Sequence, residues 1–326
     1  VTDDLFSRLG IAAEMAKLES YIGGLVTSPV FTLAQPARHI LTAGGKRLRA
    51  ALVLLAARQR GGPIPEKAVY AAAAVELIHA ASLVHDDLID ESPHRRGRPA
   101  IHEKWHHDIA ILAGDYLFAL AARAIALTSN IAVLEHLSAA SAAVCEGEVT
   151  NVEEIEPLAD ALESYEFKIG HKTAALFEAA GQVGAVCGGA DGETVAALGR
   201  FGYALGMAFQ IVDDVLDYVG EEAQLGKPAG GDLRRGLITL PLIYAVAYDD
   251  PTGFLRQTVD PFATAPPPDG WARALAQVQA SSGPARARQD AERYRNEALQ
   301  YLALVPAETA REALAEIARL VVERVS

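Results

Sequence analysis

Apolar positions recur every three to four residues along most of the chain, the spacing of one face of an α-helix. The clearest runs extend from about Asp3 to Val26, Lys46 to Arg60, Pro65 to Glu91, Ile109 to Leu127, Val133 to Val149, Ala161 to Cys187 and Glu193 to Val219. A second set covers about Thr239 to Tyr248, Trp271 to Ser281, Gly283 to Leu304 and Ala307 to Val325. Several are apolar on most faces, which predicts helices packed on more than one side. Valine and isoleucine are scattered singly, without alternating runs bounded by turns, so no strand is predicted. Two polar breaks stand out, Ser92 to Pro99 (SPHRRGRP) and Gly220 to Gly236 (GEEAQLGKPAGGDLRRG). The helices beside them are apolar and need each other's cover. The expectation is one all-helical domain over residues 1–326, in which the weak segment Asp260 to Gly270 sets off 260–326 as a peripheral C-terminal helical subdomain.

Composition sharpens this picture. The 326 residues are 51% hydrophobic and 22% charged, enough apolar mass for a deep core. Alanine, the best helix former, is the commonest residue. The formal net charge of −13 argues against nucleic-acid binding and requires a local basic cluster for any bound anion. Cys145 and Cys187 have no CxxC partner, which excludes a thiolate zinc site and fits a reducing compartment. The most apolar stretch, Ile109 to Leu127, carries Asp115 and Arg123, so no transmembrane segment is predicted. The start, VTDDLFSRLG, lacks the basic and apolar regions of a signal peptide. A soluble cytoplasmic protein is expected.

Two aspartate clusters carry the candidate chemistry. Asp86, Asp87 and Asp90 lie in LVHDDLIDES; Asp213, Asp214 and Asp217 repeat the DDxxD spacing in FQIVDDVLDYVG. Carboxylates one turn apart share a helix face, repel each other and gain nothing from the dipole at a helix C-terminus. Either motif alone also fits a solvated acidic helix end. Two copies, each on an apolar helix followed by a polar loop, point instead to carboxylate walls for a hard cation such as Mg²⁺, which bridges to phosphates. A di-iron bundle would need glutamates with Glu-x-x-His, and no such motif accompanies these helices. Cations suited to a polyanion follow in short runs: Lys46, Arg47 and Arg49 after Gly44-Gly45 at a predicted helix start, Arg95 and Arg96 after the first aspartates, Lys172 beside Thr173, and Lys227 in a glycine-rich loop. Any one of these also fits a solvated surface charge. His79 lies two turns before Asp86 on the same face, a position that equally suits a satisfied core histidine. His85, His94, His102, His106 and His107 show no metal-ligand spacing.

Taken together, GGKRLRA, ELIHAASLVHDDLID with RRGRPA, HKTAALF, FQIVDDVLD and GKPAGGDL…TLP resemble the trans-isoprenyl diphosphate synthases, in that family's order from Gly44 to Pro241. The resemblance implies an all-α, single-domain bundle of long helices around a deep central cavity, the isoprenoid synthase fold, usually as a homodimer. It implies head-to-tail condensation of isopentenyl diphosphate onto an allylic diphosphate (dimethylallyl, geranyl or farnesyl), with Mg²⁺ as cofactor. By that analogy Asp86, Asp90 and Asp213 ligate Mg²⁺ on the allylic diphosphate, supported by Asp87, Asp214 and Asp217. Arg95, Lys172 and Lys227 hold the allylic diphosphate. Lys46, Arg49, His79 and Arg96 hold isopentenyl diphosphate. Thr173 and Gln210 face the forming allylic cation. Two positions depart from the pattern. Ala50 stands where proline is common, and Leu237 where a lysine is common, leaving Arg234 or Arg235 as substitutes or the site with one cation fewer.

Ala81 and Ser82, five and four positions before Asp86, are small where family members with short products carry a bulky aromatic residue. Their size predicts passage of the growing chain past Ile78, Val75 and Ala74, and a product of geranylgeranyl length or longer, octaprenyl-like favoured, with Phe118 or Leu120 as a floor. The same small residues also suit close helix packing. The competing readings are a terpene cyclase, against which GGKRLR, His79 and RRGRP speak, and the non-catalytic subunit of a heteromeric synthase, against which both intact aspartate clusters speak.

Overall fold

The computed structural model of the chain describes residues 2–152, 155–220, 229–259 and 268–323. Its elements are almost all helices. In chain order they are α1 (Thr2–Arg8), α2 (Ala12–Leu25), α3 (Phe31–Leu41), α4 (Leu48–Ala57), α5 (Glu66–Ile89), β1 (His94–Arg95), β2 (Arg98–Pro99), α6 (Ile101–Trp105), α7 (His107–Leu127), α8 (Ile131–Val149) and α9 (Leu158–Ile169). A π-helical turn (Gly170–Ala174) then leads into α10 (Ala175–Cys187), followed by α11 (Gly192–Val219), α12 (Gly231–Arg234), α13 (Leu240–Asp249), α14 (Phe254–Val259), α15 (Pro268–Ala280), α16 (Gly283–Tyr301) and α17 (Glu308–Glu323). They form two compact units. One comprises Val1–Ala142, Leu176–Gly202 and Tyr301–Ile317; the other comprises Ala143–Ala175, Tyr203–Gln300 and Ala318–Ser326.

The first unit is built on α4, α5 and α7. Every residue of α4 from Ala50 to Ala57 is buried, the mark of a helix enclosed on all sides. Helix α5 buries Ala71 to Ala74, Leu77, Ile78 and Ala81, and packs against α7 through the small residues Ala110, Ala113 and Gly114. Helix α10 approaches α4 so closely that a Cβ on Gly184 would lie 2.3 Å from the Val53 carbonyl oxygen. In the second unit α13 packs against α9, α14 and α15. Two tyrosines tie α16 to its neighbours: Tyr244 donates to Asp290 at 2.5 Å and Tyr294 to Glu166 at 2.9 Å.

Several predicted boundaries are corrected. The run from Asp3 to Val26 breaks into α1 and α2 because Gly10 adopts a left-handed φ of 68°. Helix α3 was not predicted; Pro36 lies inside it, where a proline ordinarily argues against a helix. Short helices α6, α12 and α14 were also missed. The run from Ala161 to Cys187 starts earlier and is interrupted by the π turn. The expectation of no strand fails at His94 to Pro99, where Arg96 and Gly97 both take positive φ and close a two-residue hairpin too short for alternation to register.

By length and composition α5, α7 and α11 are each long and apolar enough to cross a membrane. In the fold the apolar windows of α5 and α11 are 72% and 67% buried inside the protein, and that of α7 is 39% buried.

Candidate functional site

The first aspartate cluster closes α5 in the first unit. Asp90 is the C-cap of the helix and exposed, Asp86 is half-buried and Asp87 is buried. A buried carboxylate needs donors, and Asp87 has them: Arg95 donates from Nε at 2.8 Å and again from Nη2. The hairpin after α5 thus turns back so that Arg95 on β1 meets the helix end. Arg96, one residue on, lies in the left-handed turn with its guanidinium over Gly45. A Cβ on Gly45 would fall 2.6 Å from Arg96 Nη1, so the second glycine of TAGGKRLRA makes room for a cation from another element.

The GGKR segment is held through Arg47, which the sequence offered as a cation for a polyanion and which the fold pairs with carboxylates. Arg47 caps α4 in the left-handed region with φ 49°. Its Nη1 donates to Glu76 at 3.0 Å, its Nε to Glu19 at 2.8 Å and its Nη2 to the Leu41 carbonyl at 3.0 Å. Glu76, 4% exposed within apolar α5, also accepts the Ala50 amide at 3.1 Å. The helix begins at Leu48 rather than Lys46, and one of its first amides is taken by Glu76. Lys46 is exposed, and half-buried Arg49 places its guanidinium carbon 4.3 Å from the centre of the Phe177 ring. His79 follows Glu76 by one turn. Burial first, then the charges of Arg49, Arg96, Arg95 and Arg47, push its imidazole well below the usual histidine range. The structure thus brings His79, Arg49, Arg95 and Arg96 together.

The second cluster lies near the end of α11 in the second unit. Asp213 is half-buried, Asp214 and Asp217 buried. Asp214 Oδ2 accepts the Tyr165 hydroxyl at 2.6 Å and Oδ1 accepts Gln210 Nε2 at 2.8 Å. Gln210 Oε1 in turn accepts the Thr173 hydroxyl at 2.8 Å. Burial, reinforced by the neighbouring charge of Asp232, pushes the Asp214 carboxyl up to about 8 against the pull of its two donors. Asp217 Oδ2 accepts the Asp232 amide at 2.9 Å and so pins the start of α12. Arg235 pairs with Asp232 at 2.7 Å, Arg234 is exposed, and Leu237 stands half-buried beyond them.

Lys172 and Thr173, expected in mid-helix, lie in the π turn, whose extra residue re-aims the side chains there. Lys172 Nζ pairs with Glu148 at 2.5 Å. Helix α8 reaches this turn backbone to backbone; a Cβ on Gly147 would lie 2.4 Å from the Lys172 nitrogen. Lys227 lies outside the described residues. Of the chain-length candidates, Ala81 is fully buried, and half-buried Ser82 spends its hydroxyl on the His79 carbonyl at 2.9 Å. Ile78, Val75 and Ala74 are buried, as is Leu120, while Phe118 is half-buried beside His85.

Among the described residues no three His, Cys, Asp or Glu side chains converge to enclose a metal by themselves. The donors nevertheless suit Mg²⁺. They are all carboxylate oxygens. Asp87 in the first cluster and Asp214 and Asp217 in the second are buried and tied to protein donors, while Asp86, Asp90 and Asp213 are the less buried ones, as suits a hard cation that keeps its waters and shares phosphate oxygens. Sequence reasoning missed Glu76, Glu148, Tyr165 and Asp232. Glu76 left one signal, a lone carboxylate on an apolar helix one turn before His79.

A family model described as polyprenyl synthetase matches residues 31–263. Heptaprenyl diphosphate synthase component 2 of Geobacillus stearothermophilus is 43% identical over 237 residues, 73% of this chain and 74% of that protein. Nonaprenyl diphosphate synthase of Mycobacterium tuberculosis is 35% identical over 321 residues, 96% of this chain and 93% of that protein. The crystal structure of a polyprenyl synthase from Caulobacter crescentus, complexed with calcium and isoprenyl diphosphate, matches with a TM-score of 0.91 at 37% identity, covering 100% of this chain and 98% of that one.

Proposed function

The chain belongs to the polyprenyl synthetase family, and from that premise we propose that it condenses isopentenyl diphosphate head-to-tail with an allylic diphosphate to give a long trans-polyprenyl diphosphate. It is a prenyltransferase with an all-α fold. The observation that carries the substrate reading is the gathering of Arg95, on Asp87, and Arg96, over Gly45 of the GGKR segment, in the unit that also holds Asp86 and Asp90. Cations at close quarters beside carboxylates suit a metal-bound diphosphate in a protein of net charge −13.

The assignments are these. Lys46, Arg49, His79 and Arg96 bind isopentenyl diphosphate. Arg95, Lys172 and Lys227 bind the allylic diphosphate. Asp86, Asp90 and Asp213 are assigned as Mg²⁺ ligands, with Asp87, Asp214 and Asp217 behind them. Bound Mg²⁺ would neutralise charge on the leaving diphosphate; the calcium in the Caulobacter complex supports a hard divalent cation. The C–O bond of the allylic substrate breaks with its electron pair on diphosphate. Oxygens of Thr173 and Gln210 face the resulting cation without attacking it. The isopentenyl double bond then forms the new C–C bond, and the proton lost goes to the released diphosphate.

Small Ala81 and Ser82 support a long product, and nonaprenyl and heptaprenyl synthases among the relatives support the same reading. The family match spans stretches of both units, which supports one domain over 1–326, with the peripheral C-terminal part largely beyond residue 263. A homodimer is supported by the outer side of α7 and the start of α3. There Ile111, Leu112, Val30 and Phe31 are exposed beside a groove of about 350 Å³ lined by Val30, Leu33, Ile109, Leu112 and Tyr116. The name of the Geobacillus relative supports a second reading, a catalytic component of a heteromeric synthase. We place the protein in the cytoplasm, on the burial of α5 and α11 within the fold.

The test incubates purified protein alone with Mg²⁺, labelled isopentenyl diphosphate and, in turn, dimethylallyl, geranyl and farnesyl diphosphate, and sizes the products by mass spectrometry. A ladder ending beyond geranylgeranyl is expected, together with losses of at least ~100-fold in Asp86→Ala and Asp213→Ala. A stop at farnesyl overturns the chain-length reading. No elongation by folded protein overturns the assignment of activity to this chain alone.

A further inference from the structure

The second unit contains an unbroken chain of four side chains. Tyr165 on α9 is 1% exposed, and its hydroxyl donates to Asp214 on α11. Gln210, one turn before Asp214, donates to the other carboxylate oxygen and accepts from Thr173 in the π turn. An amide side chain can be turned either way, and only its partners decide which end points where. Here they decide it. Tyr165 donates to one oxygen of Asp214, and burial and that neighbour hold the phenol well above its ordinary range. Gln210 presents its NH₂ to the other oxygen of Asp214. The amide oxygen accepts the Thr173 hydroxyl hydrogen, which leaves each of these two oxygens with a lone pair not used within the chain of four.

We propose that Tyr165 is a positioning residue that, acting through Asp214, fixes the direction of the Gln210 amide and the Thr173 hydroxyl, so that oxygen lone pairs rather than N–H or O–H hydrogens are offered to the allylic cation. This rests on the reading that Thr173 and Gln210 face that cation. Without the phenol, Asp214 loses the donor that holds one of its oxygens in place and is free to turn, taking the Gln210 amide with it. The effect belongs to the charged state: a neutral allylic chain gains little from aligned lone pairs, whereas a cation gains much in a water-poor site.

Two probes separate these states: an unreactive allylic thiodiphosphate with a neutral chain, and an ammonium analogue bearing positive charge at the reacting position, titrated with inorganic diphosphate and Mg²⁺ present. Binding of each to wild type, Tyr165→Phe, Thr173→Val and the double variant is measured by calorimetry, with melting temperature as the control for folding. In each single variant the ammonium analogue should bind about 10-fold more weakly, while the thiodiphosphate stays within about twofold. The double variant should lose no more than either single one, because both changes cut the same chain. Under turnover, Tyr165→Phe should lower kcat with KM for isopentenyl diphosphate unchanged. Equal losses for both probes mean a merely structural tyrosine and overturn the proposal, as does additive loss in the double variant or no loss in Tyr165→Phe. Wild type that binds neither probe defeats the underlying reading of the site instead, and the proposal with it.

Discussion

His79 sits among four arginines without a matching carboxylate of its own. Glu76, one turn earlier, is already engaged with Arg47 and the Ala50 amide. A proton on His79 would add a positive charge to that group inside the protein, so the folded state resists protonation and the unfolded chain does not. The linkage sign follows: folding is unaffected by this group above the unfolded histidine value of about 6.5, and stability falls as pH drops below it, toward the lower folded value. Denaturation midpoints of wild type and His79→Asn between pH 7.5 and 5.0 check this. Wild type should lose more stability on acidification than the variant; parallel curves would show that His79 carries no linked proton. The residue types at the site and their spacing are legible in the sequence, because DDxxD and GGKR are local patterns. Their partners are not. Tyr165 meets Asp214 across 49 positions, and Arg47 meets Glu76 across 29, and no local periodicity announces either pairing.

Helices were readable wherever a 3.6-residue period ran unbroken, as in α5 and α11, and unreadable where one residue disturbed it. Pro36 hid α3, Gly10 divided what looked continuous, and the π turn inserts a residue that a periodic template passes over. That turn depends on α8. With Gly147 against the Lys172 nitrogen, no side chain fits between the two backbones. Gly147→Ala must move one of them, and the contact is backbone on backbone, so no flexible side chain can yield. The expected cost is about 1–3 kcal/mol of stability from overpacking. Turnover should fall at least ~10-fold, since Lys172 and Thr173 move with the turn. Thermal melts and steady-state kinetics measure both. An alanine variant with unchanged kcat would show that the position of the turn does not govern the chemistry.

For the whole molecule, charge and apolar surface are distributed unevenly. An acidic chain sets a local group of cations at GGKR and the hairpin, and leaves part of one long helix, α7, with large apolar side chains exposed. Leu112 is 53% exposed and lines the groove beside Val30. A glutamate there leaves the interior untouched but opposes any apolar contact made by that face. If the homodimer proposed above uses this face, wild type should sediment as a dimer at micromolar concentration and Leu112→Glu as a monomer, with helix content unchanged. A variant still dimeric would move the interface elsewhere. The meeting of Gly147 with the π turn also has a consequence in time. Backbones in direct contact leave no room for water, so the Lys172 amide can trade its hydrogen for deuterium only when α8 and the turn part. The exchange rate at that single amide is a clock for the opening of this contact, and it runs in the resting protein, before any substrate arrives.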